Sequence, residues 1–356
     1  MFVIEVIGGG AAHGGRPQVG LAHMSFALVN EEFTMSTSRL TAGLAVCALA
    51  GSLVACGAGE NSGATADGDG ITLRIAHNSN ASNLPARIAD EQGFFQEEGI
   101  EVEFTMVENI STLPPALGRS FDIVQTAPTN MIAASDQGIG MVAVSGATVD
   151  TAENPTAAII SSESSGITSI EDLEGRTLGV LNETGTLHTA AKYWLEEAGV
   201  PLDSVEIVQV DGPAMADQLA AGRVDAVETI APFRSTVLAG EGTVDLGDPY
   251  LQMAPELGAI LWGAQRQWAE ENPEVIAGFR SAIEAAIEFI AQDEETAEAT
   301  LRDYTGLPDD IIAATELPAF TSELRPQDLE VWLEAMRAVE DFDGDVELAD
   351  LIPADG

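Results

Sequence analysis

Residues 73–104 read LRIAHNSNASNLPARIADEQGFFQEEGIEVEF, and this stretch decides the fold. With the two residues before it, it opens on a short apolar run, ITLRIA over 71–76, the length of a buried strand. Polar residues from His77 to Asn80 end that run. An amphipathic segment from Leu84 to Glu91, with Pro85 at its start, predicts a helix, and GFFQEEG predicts its exit. Apolar and polar residues then alternate over IEVEFTMV, 100–107, which is the period of a half-buried strand. Strand, helix, strand is the unit from which α/β sheets are built.

The same alternation continues outward. FDIVQ (121–125), MVAVSGA (141–147) and AAIISS (157–162) read as strands, with a helix over 129–137 between the first two. A second set of units follows: TLGVL (177–181), a helix over 186–198, VEIVQV (205–210), a helix over 214–221, and VDAVETI (224–230). After ELGAILWGA (256–264) only helices are expected. One spans 273–292, with Asn272 as its cap, Pro273 in its first turn and Ile276, Phe279, Ile283, Ile287 and Ile290 on one face. Another spans 327–339 through Leu329, Trp332, Leu333, Met336 and Val339. These faces carry no reactive group and are read as packing.

The chain of 356 residues is 46% apolar, enough for a real core, and carries 58 Asp and Glu against 14 Lys and Arg, a net charge of −44. Lys192 is the only lysine. Phosphate backbones and anionic headgroups repel such a surface, so nucleic acid is excluded as a partner. Both cysteines, Cys47 and Cys56, fall in the first sixth of the chain, which leaves the body without a disulfide framework, a zinc knuckle or a thiol nucleophile.

From Met35 the sequence reads MSTSRLTAGLAVCALAGSLVAC, a short start with Arg39 and then an apolar run of small residues too short to cross a bilayer. This is the layout of a secretory signal over 35–55, with 1–34 as an upstream extension outside the fold. The Leu-Val-Ala-Cys ending resembles a bacterial lipobox, which implies cleavage before Cys56, acylation there and a membrane tether. Residues 56–70 lack large apolar side chains and read as a flexible linker. Removing 1–55 takes Arg16, Arg39, Glu5, Glu31 and Glu32, leaving 12 basic against 55 acidic residues, so the acidity belongs to the body.

Residues 73–104, with GRSFDIVQTAP (118–128), SIEDLEGRTLGVLNETGT (169–186), LAAGRVDAVETIAPF (219–233) and ENPEVIAGFRSAIEAA (271–286), resemble the periplasmic solute-binding proteins of ABC importers for aliphatic sulfonates, taurine, nitrate and thiamine-pyrimidine precursors. The resemblance implies a two-lobed α/β fold, each lobe a mostly parallel sheet flanked by helices, joined by two hinge crossings. Lobe 1 is then 71–161 and 258–356, with the C-terminal helices packed on it, and lobe 2 is 162–257. It implies a monomer that binds a small organic solute, sulfonate- or taurine-like or nitrogen-rich, and passes it to a membrane permease with its ATPase, without cofactor or catalysis. A cytoplasmic thiamine-pyrimidine synthase of the same fold, or a ligand-sensing domain, are the alternatives. The first would need a His and Cys cluster, and the body has no Cys.

In open α/β sheets, ligands sit beyond the carboxyl ends of the strands. That rule selects His77, Asn78 and Asn80 after the first strand and Thr126, Ala127 and Thr129 after the third. In lobe 2 it selects Asn182, Thr184, Gly185, Thr186 and His188, then Glu228, Thr229 and Phe233. Gly185 permits close backbone approach, and free N–H groups at the start of the following helix suit an anionic oxygen. His77 and His188 lack any metal-ligand spacing and read as hydrogen-bonding residues, with no metal expected. Arg87 and Arg234 lie near two of the loops, and pairing with carboxylates is their expected role. Trp194 and Trp262 are available for stacking, though large aromatics usually fill cores. The carboxylates Glu183 and Glu228, with no lysine in these loops, favour a neutral, zwitterionic or nitrogen-rich ligand over a bare anion.

Overall fold

The computed structural model describes residues 70–352. The expected extension, signal, acylated Cys56 and linker up to 69 lie outside the described residues. Among the described residues eleven strands form two sheets. They are β1 (Ile71–His77), β2 (Ile100–Met106), β3 (Ile123–Thr126), β4 (Met141–Thr151), β5 (Ala157–Ser162), β6 (Thr177–Val180), β7 (Glu206–Gln209), β8 (Ala226–Ile230), β9 (Thr243–Gly247), β10 (Glu256–Gln265) and β11 (Ala319–Phe320). One sheet has the order β11-β4-β10-β3-β1-β2 and the other β7-β6-β8-β5-β9.

Each sheet has a parallel half and an antiparallel half. β1 runs parallel to β2 and β3, and β6 runs parallel to β7 and β8, so these strands are joined by crossovers rather than hairpins. β10 runs antiparallel to β3 and β4, and β5 antiparallel to β8 and β9. By strand direction each sheet is mostly parallel, as expected, with β5 and β10, the strands that lead out of the two crossings, and the short β11 running against the rest. β5 lies wholly in the five-stranded sheet, so the first crossing falls at 152–156 and not at 161. β10 begins at Glu256, which sets the second crossing at 248–255 rather than at 258. An apolar run such as AAIISS identifies a buried strand without naming its partners. The two-residue β11, paired with β4 at Val149, is too short to carry a period and corrects the expectation of helices alone after 264.

The helix Pro273–Ile290 covers the six-stranded sheet with Ile276, Phe279, Ile283 and Ile290 buried. Phe279 stacks on Phe95 at 5.7 Å and meets Trp262 edge-on at 5.7 Å, which makes Trp262 a core residue. The Asn272 side chain donates back to the Trp268 carbonyl at 2.8 Å and makes no cap bond. The helix Pro326–Val339 does not rest on one sheet alone. Its Trp332, Leu329 and Met336 share a cluster with Met131 of the first sheet's helix Pro128–Asp136 and with Ala190 of the second sheet's helix Thr186–Glu197. Among the described residues no helix is long and apolar enough to cross a membrane.

Candidate functional site

A cleft of about 850 Å³ opens between the two sheets. Its walls are the loops that follow the carboxyl ends of β1, β2 and β3 on one side and of β6, β7 and β8 on the other, with Ile260 and Tyr250 at the back. Nine of the residues selected from the sequence line it: Asn78, Asn80, Ala127, Asn182, Thr184, Gly185, Thr186, Glu228 and Phe233.

The β1 loop is a web of polar side chains. Gln125 of β3 accepts from the Asn78 backbone N–H at 3.0 Å and donates to Ser82 Oγ at 2.6 Å. Asn83 Nδ2 donates to the Asn78 carbonyl at 2.7 Å and to Asn80 Oδ1 at 3.0 Å, while Asn80 Oδ1 also caps the turn at Ser82 N. Asn80 thus spends its side-chain oxygen inside the loop, and the web fixes the backbone facing the cleft.

The opposite wall is built on the helix Thr186–Glu197. Its N-cap is Gly185, at φ 96° and ψ 175°, with no side-chain cap bond, so neither Thr184 nor Thr186 is a capping residue. Thr186 accepts instead from the buried Tyr250 hydroxyl at 3.3 Å. Phe233 lies over Gly212, whose position a Cβ could not share because it would fall 2.3 Å from the ring.

Glu228, near the end of β8, is fully buried. Its Oε2 lies 3.0 Å from His188 Nδ1, in the first turn of the helix, and its Oε1 has no partner among the described residues. Burial pushes the Glu228 carboxyl up from its ordinary range, and the nearby His188 and Lys192 act against that shift. His188 itself does not line the cleft; it stands behind Glu228 and orients it.

Four other selected residues stand outside the cleft wall. His77 turns into an aromatic cage, edge-on to Phe104 at 5.4 Å and Tyr304 at 6.1 Å, where burial lowers its basicity. Thr126 faces β10, its methyl against Gly263. Thr229 is fully buried, and Thr129 faces a smaller hollow beside the helix Pro128–Asp136. Each belongs to a strand end or first helical turn whose neighbour in sequence points to the cleft. The arginines are engaged elsewhere: Arg87 lies 4.5 Å above the Phe104 ring, and Arg234 pairs with Glu316 at 3.1 Å and Asp245 at 3.7 Å. Trp194 packs against Gly247, and Glu183 is exposed away from the cleft.

Sequence reasoning missed the loops after the outer strands β2 and β7, which supply Glu108, Asn109, Ser111, Gln209, Asp211 and Gly212. The strand-end rule, applied to IEVEFTMV and VEIVQV, would have found them. It also missed Asn130, which accepts from Ser111 Oγ at 3.1 Å while its Nδ2 is buried without a partner among the described residues.

No curated protein matches the chain. Solved structures with the same fold include the periplasmic aliphatic sulphonate binding protein SsuA from Escherichia coli, at 20% identity over 79% of this chain and 92% of that one, with a TM-score of 0.65. The alkanesulfonate-binding protein SsuA from Xanthomonas axonopodis pv. citri, bound to MOPS, matches at 16% identity over 81% of this chain and 99% of its own, TM-score 0.65. The periplasmic nitrate-binding protein NrtA from Synechocystis PCC 6803 matches at 14% identity over 80% and 91%, TM-score 0.58. The sequence profile described as NMT1/THI5 like matches residues 80–297, more than half of the chain, and the chain belongs to the NMT1/THI5-like family.

Proposed function

We propose that this chain is the solute-binding component of an ABC importer, working outside the cytoplasm and without catalysis. It takes a small organic solute between its two lobes and hands it to a membrane permease driven by an ATPase. The observation that carries this reading is the cleft itself, lined by the ends of parallel strands from both sheets. The printed descriptions of the sulphonate- and nitrate-binding structures support it. In this reading the protein is a monomer, removed from its signal over 35–55 and tethered through acylated Cys56, with 71–161 and 258–356 forming one lobe and 162–257 the other, their edges adjusted to the crossings at 152–156 and 248–255. The two crossings then act as a hinge.

A thermal-shift screen of the full chain against sulfonates, taurine, nitrate, pyrimidines and amines tests the binding role. A solute at a hundredfold excess over its Kd stabilises by about 2.7 kcal/mol. A clear rise in Tm for one chemical class is expected, and flat melts across all of them contradict the reading. The anchor is tested separately: intact mass of the membrane-bound protein shows an acylated Cys56, whereas an unmodified thiol contradicts the tether.

A further inference from the structure

The cleft holds two buried polar atoms without a partner among the described residues, one on each wall. Glu228 Oε1, an acceptor, belongs to the five-stranded sheet; Asn130 Nδ2, a donor, belongs to the first turn of the helix after β3 in the other sheet. A buried polar atom without a partner is costly, and such atoms mark places where a ligand completes the bonding. The two are opposite in character, so a molecule that reaches both walls satisfies them with a donor at one end and an acceptor at the other; the charge of the wall favours N–H over O–H as that donor.

The rest of the wall agrees. The carboxylates that line the cleft are Glu108, Asp211 and Glu228, and neither Arg nor Lys is among its lining residues. Lys192, whose charge acts on Glu228, is 2.9 Å from Glu340 and so already paired. An ordinary anion therefore meets net negative charge, relieved only by the open N–H groups at Gly185 and Thr186. His188 occupies Oε2 of Glu228 and leaves Oε1 as the one free position on that carboxylate.

The geometry points to Glu228 as the residue that selects a solute bearing a protonated or N–H-rich nitrogen, with Asn130 and the Gly185 turn receiving the acceptor or anionic end of the same molecule. This rests on the solute-binding reading above and narrows it: a bare sulfonate or nitrate lacks the group that Glu228 requires. Glu228 is a specificity residue, and His188 is a positioning residue that holds its carboxyl group in place.

Matched probes test this by calorimetric titration of the full chain. Taurine and ethanesulfonate differ in one amino group, and 4-aminopyrimidine and pyrimidine differ likewise. Wild type is expected to prefer the amino member of a pair about ten- to a hundredfold, the worth of a buried charge-assisted hydrogen bond. Glu228→Gln keeps an acceptor for His188 yet turns a donor toward the cleft, so the preference should collapse or invert. Equal binding of both members by wild type, or a preference that survives in Glu228→Gln, overturns the assignment while leaving the binding role intact. Saturable binding of none of the four probes by wild type overturns the assignment, and the solute-binding reading falls with it only if the wider thermal-shift screen is flat as well. The wild-type comparison alone decides the matter should the variant fail to fold.

Discussion

At the residue scale, the most telling contacts are those in which a small residue makes room for a large one. Gly212 and Phe233 share one space, and Gly212→Ala forces the ring out of its place on the cleft wall. Overpacking of this kind costs about 1–3 kcal/mol. We expect Gly212→Ala to lower stability by that amount and Phe233→Ala to restore part of it in the double variant, read from denaturant melts; additive losses would show that the two do not compete. Asp328 accepts from Gly258 N at 2.7 Å and from Arg325 Nε at 2.7 Å, while Trp332 Nε1 donates to the Gly258 carbonyl at 2.8 Å. Both backbone groups of Gly258 are thus held by the helix Pro326–Val339. The contacts of Gly212 with Phe233 and of Gly258 with Asp328 and Trp332 are not legible in sequence, because each of these pairs is separated by more than twenty residues and no periodic signal joins them.

At the element scale, the sequence read well wherever one element buries a continuous face. Ile276, Phe279, Ile283 and Ile290 were visible as a stripe and are buried, and Phe279→Ala is expected to cost about 3–5 kcal/mol while leaving the affinity of the folded protein unchanged. Melting and titration of the same variant check this, and a loss of affinity at constant stability would contradict it. What could not be read was pairing. β5 gives the same apolar pattern in either sheet, and β11 has two residues. The polar character of the site was likewise half legible: strand-end loops could be located, but the side of each residue that meets the cleft depends on the turn. His77 and Asn78 are neighbours, and only Asn78 lines it.

The two crossings carry a pair of buried acids. Asp150, at the end of β4, accepts from Thr156 N at 2.7 Å and Thr156 Oγ1 at 2.6 Å; Asp248, opening the second crossing, accepts from Tyr250 N at 2.8 Å and Ala157 N at 3.2 Å. Burial first, and then repulsion from Asp248, pushes Asp150 up to about 7, and burial pushes Asp248 up to about 6. A carboxyl group whose pKa is raised in the folded state binds more protons folded than unfolded, so it lowers stability as pH rises through that range. Stability is therefore expected to fall between about pH 4 and pH 7 through this pair. Asp150→Asn should flatten the slope of stability against pH; an unchanged slope would place the titration elsewhere.

At the scale of the whole molecule, the C-terminal helix ties the two sheets together. Beyond its end, Glu340 accepts from Lys192 at 2.9 Å and from Thr189 Oγ1 at 2.7 Å, both on the helix Thr186–Glu197. The expectation that the C-terminal helices pack on one lobe followed chain order, whereas burial of Trp332 and Leu329 requires apolar surface from both. The central claim is that the cleft takes its solute from both walls at once. Calorimetric titration of the tightest-binding of taurine, ethanesulfonate, 4-aminopyrimidine and pyrimidine into wild type, Asn130→Ala and Thr184→Ala tests it most directly. The account predicts that each variant, one from either wall, binds about five- to a hundredfold more weakly while melting within about 1 kcal/mol of wild type. Unchanged affinity in both variants would contradict it.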